Sequence, residues 1–480
     1  MSCAARISAS SSSSVTTASV KVGFITLGCD KNTVDTERYL GELSEYGGEF
    51  TAELDQADVI IVNTCGFIDA AKKESIDAMI EAARYKIDGS CRAVVGVGCM
   101  IERHKSELIE ALPEVDLFLG ASESGRLAQE LLQRGIVGGD PVAMHPGVRV
   151  YTGDLPHVRY LKISEGCDHG CAFCAIPLMR GKHRSFARDE IIREAQLLEM
   201  QGARELNLVA QDLAHYGRDI RDGVRLPELL ESLVAETSVP WIRMLYLYST
   251  GITPRLLEVV SRESRILPYL DMPMQHAADS VLASMRRPER KRTIRDRVAQ
   301  FREAVPSVAI RTTCIVGFPG ETEGDFEELM EFLEEIQFDR VGAFTYSPQE
   351  GTRAAEMHND VPDPIKRERL ERLTELQRSI TAEKYESRIG RRAQLIVDRV
   401  IDGVSVGRLP WQADDIDGVT YLDEVHAPGT LAEVAVEEVV DDYDFRASTV
   451  GIITPTVVAV APLARRQLPM AAMTVGSYGR

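Results

Sequence analysis

Short apolar runs alternate with helical stretches along the first part of the chain. Three of the runs have the length and the β-branched side chains of buried strands, and they lie at residues 21–27, 58–62 and 93–97. Two stretches with helical periodicity separate them, at residues 33–46 and 70–84. Strands that alternate with helices predict βαβ units around a parallel sheet. We therefore predict an N-terminal parallel α/β domain at residues 21–140.

A longer series of the same kind follows a glycine-rich loop at residues 138–147. Its predicted strands lie at residues 158–163, 205–210, 241–247, 269–272, 308–316 and 339–346. Six βα units in succession are typical of a partial (β/α) barrel, whose active site lies at the carboxyl ends of the strands. We place this barrel at residues 150–388. Its last helix, 365–388, is rich in Arg and Glu, and we interpret it as a bridging helix rather than as a basic strip for RNA.

From residue 391 the pattern changes to short alternating strands separated by glycine turns. The predicted strands lie at residues 394–400, 403–409, 418–422 and 430–436. They predict a small antiparallel β-barrel, which we place at residues 389–456. Between residues 391 and 455 there are 13 Asp or Glu against 5 Arg and no Lys. Small barrels that carry nucleic acid usually present a basic groove, so the charge of this one argues against that role.

Composition and the chain ends narrow the class of protein further. The formal net charge of −19 favours a basic partner over non-specific binding to phosphate. Residues 1–20 are rich in serine and lack an apolar core, so we expect a disordered tail rather than a secretory signal, and residues 457–480 are interpreted as a second loose tail. No apolar run approaches the ~18 residues that a membrane span needs. Nine cysteines in such a chain favour metal or redox use in a reduced, cytoplasmic setting.

The strongest chemical signal is a C-x3-C-x2-C triplet directly after a predicted strand. It consists of Cys167, Cys171 and Cys174. Three thiolates this close in sequence can wrap one metal centre, and soft sulfur ligands select zinc or iron–sulfur. A zinc knuckle or a ferredoxin-like loop remains an alternative, although a zinc site normally draws a further ligand from a second knuckle. Three ligands on a 4Fe–4S cubane would instead leave one iron open to a substrate.

Three more cysteines follow the first three predicted strands, one after each. They are Cys29, Cys65 and Cys99. Ligands collect at the carboxyl ends of open parallel sheets, so these side chains are expected to converge. A single cysteine in such a place is often only a small buried hydrophobe. Three equivalent placements favour a second three-cysteine iron–sulfur cluster, again with an open iron.

The residues around these six cysteines resemble a known family. The triplet with Phe173 before its last cysteine resembles the signature of the radical S-adenosylmethionine (SAM) enzymes. The chain from residue 21 to about 455 is similar to the methylthiotransferase family of those enzymes. Its motifs here are TLGCDKN (26–32), NTCGFI (63–68), GCM (98–100) and SEGCDHGCAFCAIP (164–177). The resemblance implies an N-terminal methylthiotransferase domain, a radical SAM barrel and a C-terminal TRAM domain.

The resemblance also implies two 4Fe–4S clusters and SAM as cofactors. Cys167, Cys171 and Cys174 would hold the cluster that binds SAM, and Cys29, Cys65 and Cys99 the cluster that carries the sulfur. Phe173 would lie against the adenine, while Gln211 and Gly317, at predicted strand ends, are expected to contact SAM. We expect no catalytic residue beyond the cluster ligands, and an electron donor of the flavodoxin or ferredoxin type. His276 is a weaker site candidate, and Cys3, Cys91 and Cys314 lie outside the motifs, with a spare-ligand role left open for Cys91.

Two branches of this family differ in substrate. One modifies an adenosine next to the tRNA anticodon, and the other modifies an aspartate of small-subunit ribosomal protein twelve. The form SEGCDHGC and the segment DDIDG at residues 414–418 resemble the ribosomal-protein branch. The acidic terminal barrel favours the same branch, since it would attract a basic protein and repel tRNA phosphate. We therefore expect methylthio transfer to the β-carbon of that aspartate, with the tRNA reaction and a non-catalytic ribosome-binding iron–sulfur or zinc protein as the alternatives.

Overall fold

The computed structural model describes residues 20–138, 149–358, 360–414 and 416–453. The predicted tails, except Val20, and most of the predicted loop at 138–147 lie outside these residues, and Val20 is the first residue of a strand and not part of a tail. Within them, no helix combines the length and the apolar character that crossing a membrane requires.

The N-terminal domain is built on a five-stranded parallel sheet with the order β2-β1-β3-β4-β5. Its strands are β1 (Val20–Thr26), β2 (Gly48–Thr51), β3 (Val59–Thr64), β4 (Ala93–Gly98) and β5 (Leu117–Gly120). Its helices are α1 (Asp30–Glu45), α2 (Asp69–Asp88), α3 (Cys99–Ala111) and α4 (Leu127–Gln133). Every residue of β3 and β4 is buried, because the helices cover both faces of the sheet. The predicted parallel α/β domain is confirmed, although β2 and β5 were not predicted.

The second part of the chain forms the predicted partial barrel. Its six parallel strands are β6 (Val158–Lys162), β9 (Glu205–Val209), β10 (Trp241–Met244), β11 (Tyr269–Asp271), β12 (Ala309–Val316) and β13 (Arg340–Thr345). Its helices are α5 (Ile176–Arg180), α6 (Arg188–Met200), α7 (Leu226–Glu236), α8 (Pro254–Arg262), α9 (Asp279–Ser284), α10 (Lys291–Ala304), α11 (Glu323–Ile336) and α12 (Asp363–Glu386). The short strands β7 (Ser164–Glu165) and β8 (Arg184–Ser185) pair antiparallel on either side of the cysteine triplet. A backbone bridge from Ile242 to Ile266 links the two three-stranded halves.

The C-terminal domain is a closed five-stranded barrel with the order β14-β15-β16-β18-β17. Its strands are β14 (Arg392–Ile401), β15 (Val404–Arg408), β16 (Thr420–Leu422), β17 (Leu431–Val440) and β18 (Asp444–Ile453). The prediction of a small antiparallel barrel is confirmed, with one parallel pair, β16 and β18, where the barrel closes. Strand β18 was not predicted, because its exposed face carries Val450 and Ile452 and so masks the alternation of polar and apolar positions.

The C-terminal barrel is docked on the partial barrel through buried charges. Glu205 of β9 accepts a hydrogen bond from Arg243 of β10 at 2.7 Å and pairs with Arg408 of β15 at 2.7 Å. Arg408 also donates to Asp398 of β14 at 2.7 Å, and the opposite oxygen of Asp398 lies 2.9 Å from the His157 ring. A buried charge is costly unless it is paired, so this network fixes one orientation of the two domains. Helix α12 packs on α11 and β13 and also on β17, in agreement with the bridging role predicted for it.

Candidate functional site

One large cavity lies where the three domains meet. Its volume is about 1420 Å³. The N-terminal domain, the segment 151–155, the partial barrel and the C-terminal barrel all contribute to its wall. Five of the six predicted cluster ligands line it, namely Cys29, Cys65, Cys99, Cys171 and Cys174. Two cysteine sets that are more than sixty residues apart in sequence therefore face the same space.

The N-terminal set comes together because β1, β3 and β4 are neighbours in the sheet. Cys29 precedes α1, Cys65 follows β3, and Cys99 is the first residue of α3 directly after β4. Gly28 has a φ of +98° and lies against Cys65 so closely that an added Cβ would be 3.1 Å from the Cys65 sulfur. Glycine is thus needed there both for its backbone conformation and for the approach of the two loops.

Two asparagines of the cysteine motifs tie the strand ends together. The Asn32 side chain donates to the backbone oxygens of Leu27 at 2.7 Å and Thr64 at 3.2 Å. The Asn63 side chain donates to the Asn32 backbone oxygen at 3.0 Å. These bonds satisfy the backbone oxygens of Leu27 and Thr64 at the carboxyl edge of the sheet and tie that edge to the start of α1.

The second set is held by backbone bonds inside and beside its own loop. Gly166 has a φ of +76°, and an added Cβ would overlap the Lys182 backbone oxygen. The Cys167 amide donates to the Gly181 oxygen at 3.1 Å, and the Cys174 amide donates to the Cys171 oxygen at 3.2 Å. Cys171 is buried, whereas the other two cysteines of the loop are partly exposed. These backbone contacts all lie within the partial barrel, while Cys99 of the N-terminal domain packs against Ala175 and Met179 just after the loop.

Both sets fit an iron–sulfur group by the chemistry of their donors. Each offers three soft sulfur ligands, and cysteines from both sets line the cavity, where an open iron would face a substrate. Burial raises the pKa of Cys99 and Cys174 to about 12 and that of Cys167 to about 11, and it also raises the pKa of Cys65. These four thiols are therefore protonated at neutral pH without metal, and metal binding to them must release protons.

Several buried and partly buried polar side chains lie beside Cys171, and the sequence did not predict them. The Tyr248 hydroxyl is 3.5 Å from the Cys171 sulfur, and the Arg287 guanidinium lies over the Tyr248 ring at 3.9 Å. The His169 ring also stacks on the Tyr248 ring, with the ring centroids 4.2 Å apart. Its ring nitrogen is 2.8 Å from Asp212. Burial opposes ionisation of Asp212, but the bonds from His169 and His215 hold its pKa below the usual range.

The predicted SAM contacts fall in different places. Phe173 and Gln211 line the cavity. Gln211 donates to Glu165 at 3.2 Å, and its side-chain oxygen is buried without a hydrogen-bond partner among the described residues. Gly317 is not among the lining residues: its amide donates to Glu321 at 2.8 Å, and the Lys366 side chain covers it. Its role as a SAM contact stays a prediction.

The remaining candidates lie in the protein core. His276 is fully buried, its Nδ1 accepts a bond from the Ala278 amide at 3.0 Å, and burial lowers its pKa to about 3. Cys91 donates to the Ala93 oxygen at 3.2 Å, and Cys314 is buried in β12. None of these three lines the cavity, and Cys3 lies outside the described residues.

Three family models match the chain, one in each structural part. They are Uncharacterized protein family UPF0004 at residues 21–120, the Radical SAM superfamily at 161–333 and the TRAM domain at 389–450. Relatives named ribosomal protein uS12 methylthiotransferase RimO cover nearly the whole chain. The relative from an Anaeromyxobacter species is 43% identical and spans 94% of this chain and 96% of its own length. Those from Desulforudis audaxviator and Geobacter sulfurreducens are 42% and 39% identical, over 90% and 88% of this chain and 98% and 97% of their own.

Solved structures agree in fold. The radical S-adenosylmethionine methyltransferase TsrM from Kitasatospora setae, solved with cobalamin and a 4Fe–4S cluster bound, superposes with a TM-score of 0.51. It is 11% identical and covers 69% of this chain and 76% of its own. At that identity the likeness concerns the fold alone.

Proposed function

The chain belongs to the ribosomal protein uS12 methylthiotransferases, and from that premise we propose that it adds a methylthio group to the β-carbon of an aspartate in uS12 with two iron–sulfur clusters, one on each cysteine set. As a radical SAM methylthiotransferase the enzyme uses SAM and an iron–sulfur cluster. The observation that carries the two-cluster scheme is the single cavity lined by cysteines from both sets. A substrate loop in that cavity would meet both sites.

When bound, the clusters and SAM supply the radical that removes a hydrogen atom from the aspartate and the sulfur and methyl group that replace it. The protein binds and orients these groups, as is usual for cofactor enzymes. We assign Cys167, Cys171 and Cys174 to the SAM-binding cluster and Cys29, Cys65 and Cys99 to the sulfur-carrying one. Phe173 would hold the adenine, and the unpartnered side-chain oxygen of Gln211 would accept a hydrogen bond from a donor on SAM. No side chain has to accept a proton from carbon.

Surface charge supports a basic protein as the substrate. The C-terminal barrel exposes a series of carboxylates, at Asp402, Asp423, Glu424, Glu437, Glu438 and Asp441. Of its arginines, Arg408 is buried in ion pairs and Arg446 is paired with Glu438 and Asp423, whereas Arg391, Arg392 and Arg399 are exposed, so exposed carboxylates outnumber exposed arginines by six to three. A surface of this sign attracts a basic ribosomal protein and raises the rate of encounter, whereas it repels a phosphate backbone.

The activity can be tested directly on both substrate classes. The enzyme, reconstituted anaerobically, is incubated with SAM, a reductant and either uS12 or unmodified tRNA. We expect a mass gain of about 46 Da on the uS12 aspartate, which corresponds to replacement of one hydrogen by S–CH3. A gain on tRNA and none on the protein would overturn the proposed substrate.

The acidic surface gives a second test. Glu424→Lys with Glu437→Lys reverses two exposed charges far in sequence from any cysteine. We expect the KM for uS12 to rise about three- to tenfold with kcat unchanged, and the effect to shrink at high salt. SAM cleavage without uS12 should be unaffected. An unchanged KM would show that the terminal barrel does not contact the substrate.

Three further points remain part of the proposal. The domain boundaries are 21–140, 150–388 and 389–456, and the enzyme works in the cytoplasm. The electron donor is a flavodoxin- or ferredoxin-type protein, since cluster potentials span roughly −700 to +450 mV and SAM cleavage needs the low end. Reduction of the cluster by such a protein, followed by formation of 5′-deoxyadenosine, would identify the donor class.

A further inference from the structure

Arg180 belongs to the partial barrel but reaches the third cysteine of the N-terminal domain. It is the last residue of α5, six positions after Cys174. Its Nε donates a hydrogen bond to the Cys99 sulfur at 3.0 Å. Its side chain is only 6% exposed. One short helix therefore connects the radical SAM cysteine loop to a ligand of the other site.

The guanidinium is held on its other edges by the N-terminal domain and the barrel together. Nη1 donates to Asp35 of α1 at 2.6 Å and to Glu165 of β7 at 3.2 Å, and Nη2 donates to the Asn32 side chain. The planar fork of arginine can satisfy all of these acceptors at once, whereas a lysine ammonium cannot. The acceptors thus fix the direction in which the Nε–H points, and it points at the sulfur.

The charges around Arg180 balance without Cys99. Lys162 pairs with Asp35 and, at 2.6 Å, with Glu165, so two buried cations face two carboxylates. Glu165 also accepts a bond from Gln211 at 3.2 Å. Among the cations of this group, Arg180 is the one whose N–H contacts the Cys99 sulfur. Through Glu165, this group of side chains connects Arg180 to Gln211, the proposed SAM contact.

We propose that Arg180 is a positioning residue for methylthio transfer, which holds the Cys99 sulfur by a charged hydrogen bond and keeps the two cysteine sites in a fixed relation across the domain boundary. This inference rests on the proposed two-cluster function. A hydrogen bond to a ligand sulfur withdraws electron density from a cluster and raises its reduction potential. Arg180 therefore acts on the sulfur-carrying site while it belongs to the SAM-cleaving domain.

The first experiment isolates the N-terminal site. Cys167, Cys171 and Cys174 are replaced by Ala, so that only the N-terminal cluster is loaded, and Arg180→Gln and Arg180→Lys are made in that background. We expect iron to be retained and the midpoint potential, followed by electron paramagnetic resonance, to become more negative with Gln. Arg180→Lys should give an intermediate midpoint potential, because lysine keeps the positive charge but lacks the planar guanidinium that directs an N–H at the sulfur. If both variants keep the parent potential, Arg180 has no bond to the cluster ligand and the inference is wrong.

The second experiment measures coupling in the full enzyme with uS12. For Arg180→Gln we expect methylthiolated product per 5′-deoxyadenosine to fall about tenfold, the size of effect typical of a residue behind a metal ligand. The matched control is Arg38→Gln. Arg38 crosses the same boundary to Glu194 at 2.9 Å and contacts no cysteine. Loss of the Arg38–Glu194 ion pair should change the product per 5′-deoxyadenosine little. An equal fall in both variants would mean that Arg180 only holds the two domains together and has no effect through Cys99.

Iron binding distinguishes a failure of the two-cluster function from a failure of the role assigned to Arg180. If the parent protein without the radical SAM cysteines binds no iron, the two-cluster function is wrong. If it binds iron and Arg180 variants alter neither the potential nor the product ratio, only the role of Arg180 is wrong.

Discussion

Cys167, Cys171 and Cys174 come from one loop of eight residues, whereas Cys29, Cys65 and Cys99 come from the ends of three separate strands. The loop is shaped by its own backbone bonds and by the short β7–β8 pair. The strand-end site exists only if the parallel sheet forms with β1, β3 and β4 as neighbours. One of its cysteines, Cys99, also accepts a hydrogen bond from Arg180 of the next domain. The local site is thus defined by sequence spacing and the distant site by topology.

This contrast predicts that the two sites fail independently. The largest effect is expected for Cys171→Ala, because Cys171 is the buried member of the loop. SAM cleavage should be abolished, and iron should fall by about half, from about eight to about four per chain, with the N-terminal cluster spared. Iron analysis and 5′-deoxyadenosine formation measure this. Loss of all iron would show that the two sites depend on each other.

The reciprocal change is Cys65→Ala. We expect SAM cleavage to continue and methylthio transfer to stop, since the sulfur-carrying site loses one of three ligands while the loop is untouched. Product analysis by mass spectrometry, alongside 5′-deoxyadenosine, separates the two steps. Normal methylthiolation by this variant would contradict the two-cluster scheme.

A smaller effect on iron loading is expected when the close contact between the Gly28 and Cys65 loops is disturbed. In Gly28→Ala the new Cβ would lie 2.9 Å from the Cys65 Cβ, and the residue would keep a φ of +98°. Strain in the left-handed region costs about 1–2 kcal/mol, and the displaced Cys65 should also lower iron loading at the N-terminal site. Gly202→Ala is the matched control, with a φ of +99° and open space around it. Both variants should lose stability in thermal unfolding, and only Gly28→Ala should lose iron.

The same contrast explains how much the sequence could predict. The loop cysteines are recognisable from spacing, and the strand-end cysteines from their repeated position after apolar runs, because sheet topology brings such positions together. Strand β2 has the sequence GEFT, in which Phe50 is the one apolar side chain, so it lacks an apolar run, and the short apolar run of β5 was not assigned. Arg180, Tyr248 and Arg287 could not be assigned, since each acts through a contact with a residue more than seventy positions away.

His276 shows that a place at a strand end does not by itself make a site. It follows β11, as sequence analysis expected of a site residue, but its buried ring faces Glu321 at 3.7 Å and not the cavity. We therefore expect His276→Asn, whose side-chain oxygen can replace Nδ1 as acceptor for Ala278, to change SAM cleavage and transfer by less than about twofold. A tenfold loss of either activity would place His276 in the machinery of the cavity.

Its effect should appear in the pH dependence of stability instead. Burial lowers the pKa of His276 to about 3, against about 6.5 in an unfolded chain, so the unfolded state binds a proton that the folded state refuses. The stability that this neutral ring contributes is complete above pH ~6.5 and is lost as the pH falls towards 3, by about 1.4 kcal/mol per pH unit. Urea unfolding at pH 7 and pH 5 should show a loss about 2 kcal/mol smaller in His276→Asn than in the parent. An equal loss in both proteins would mean that the ring takes up its proton over the same pH range in the folded and unfolded states, so that burial does not lower its pKa and the strand end after β11 is polar.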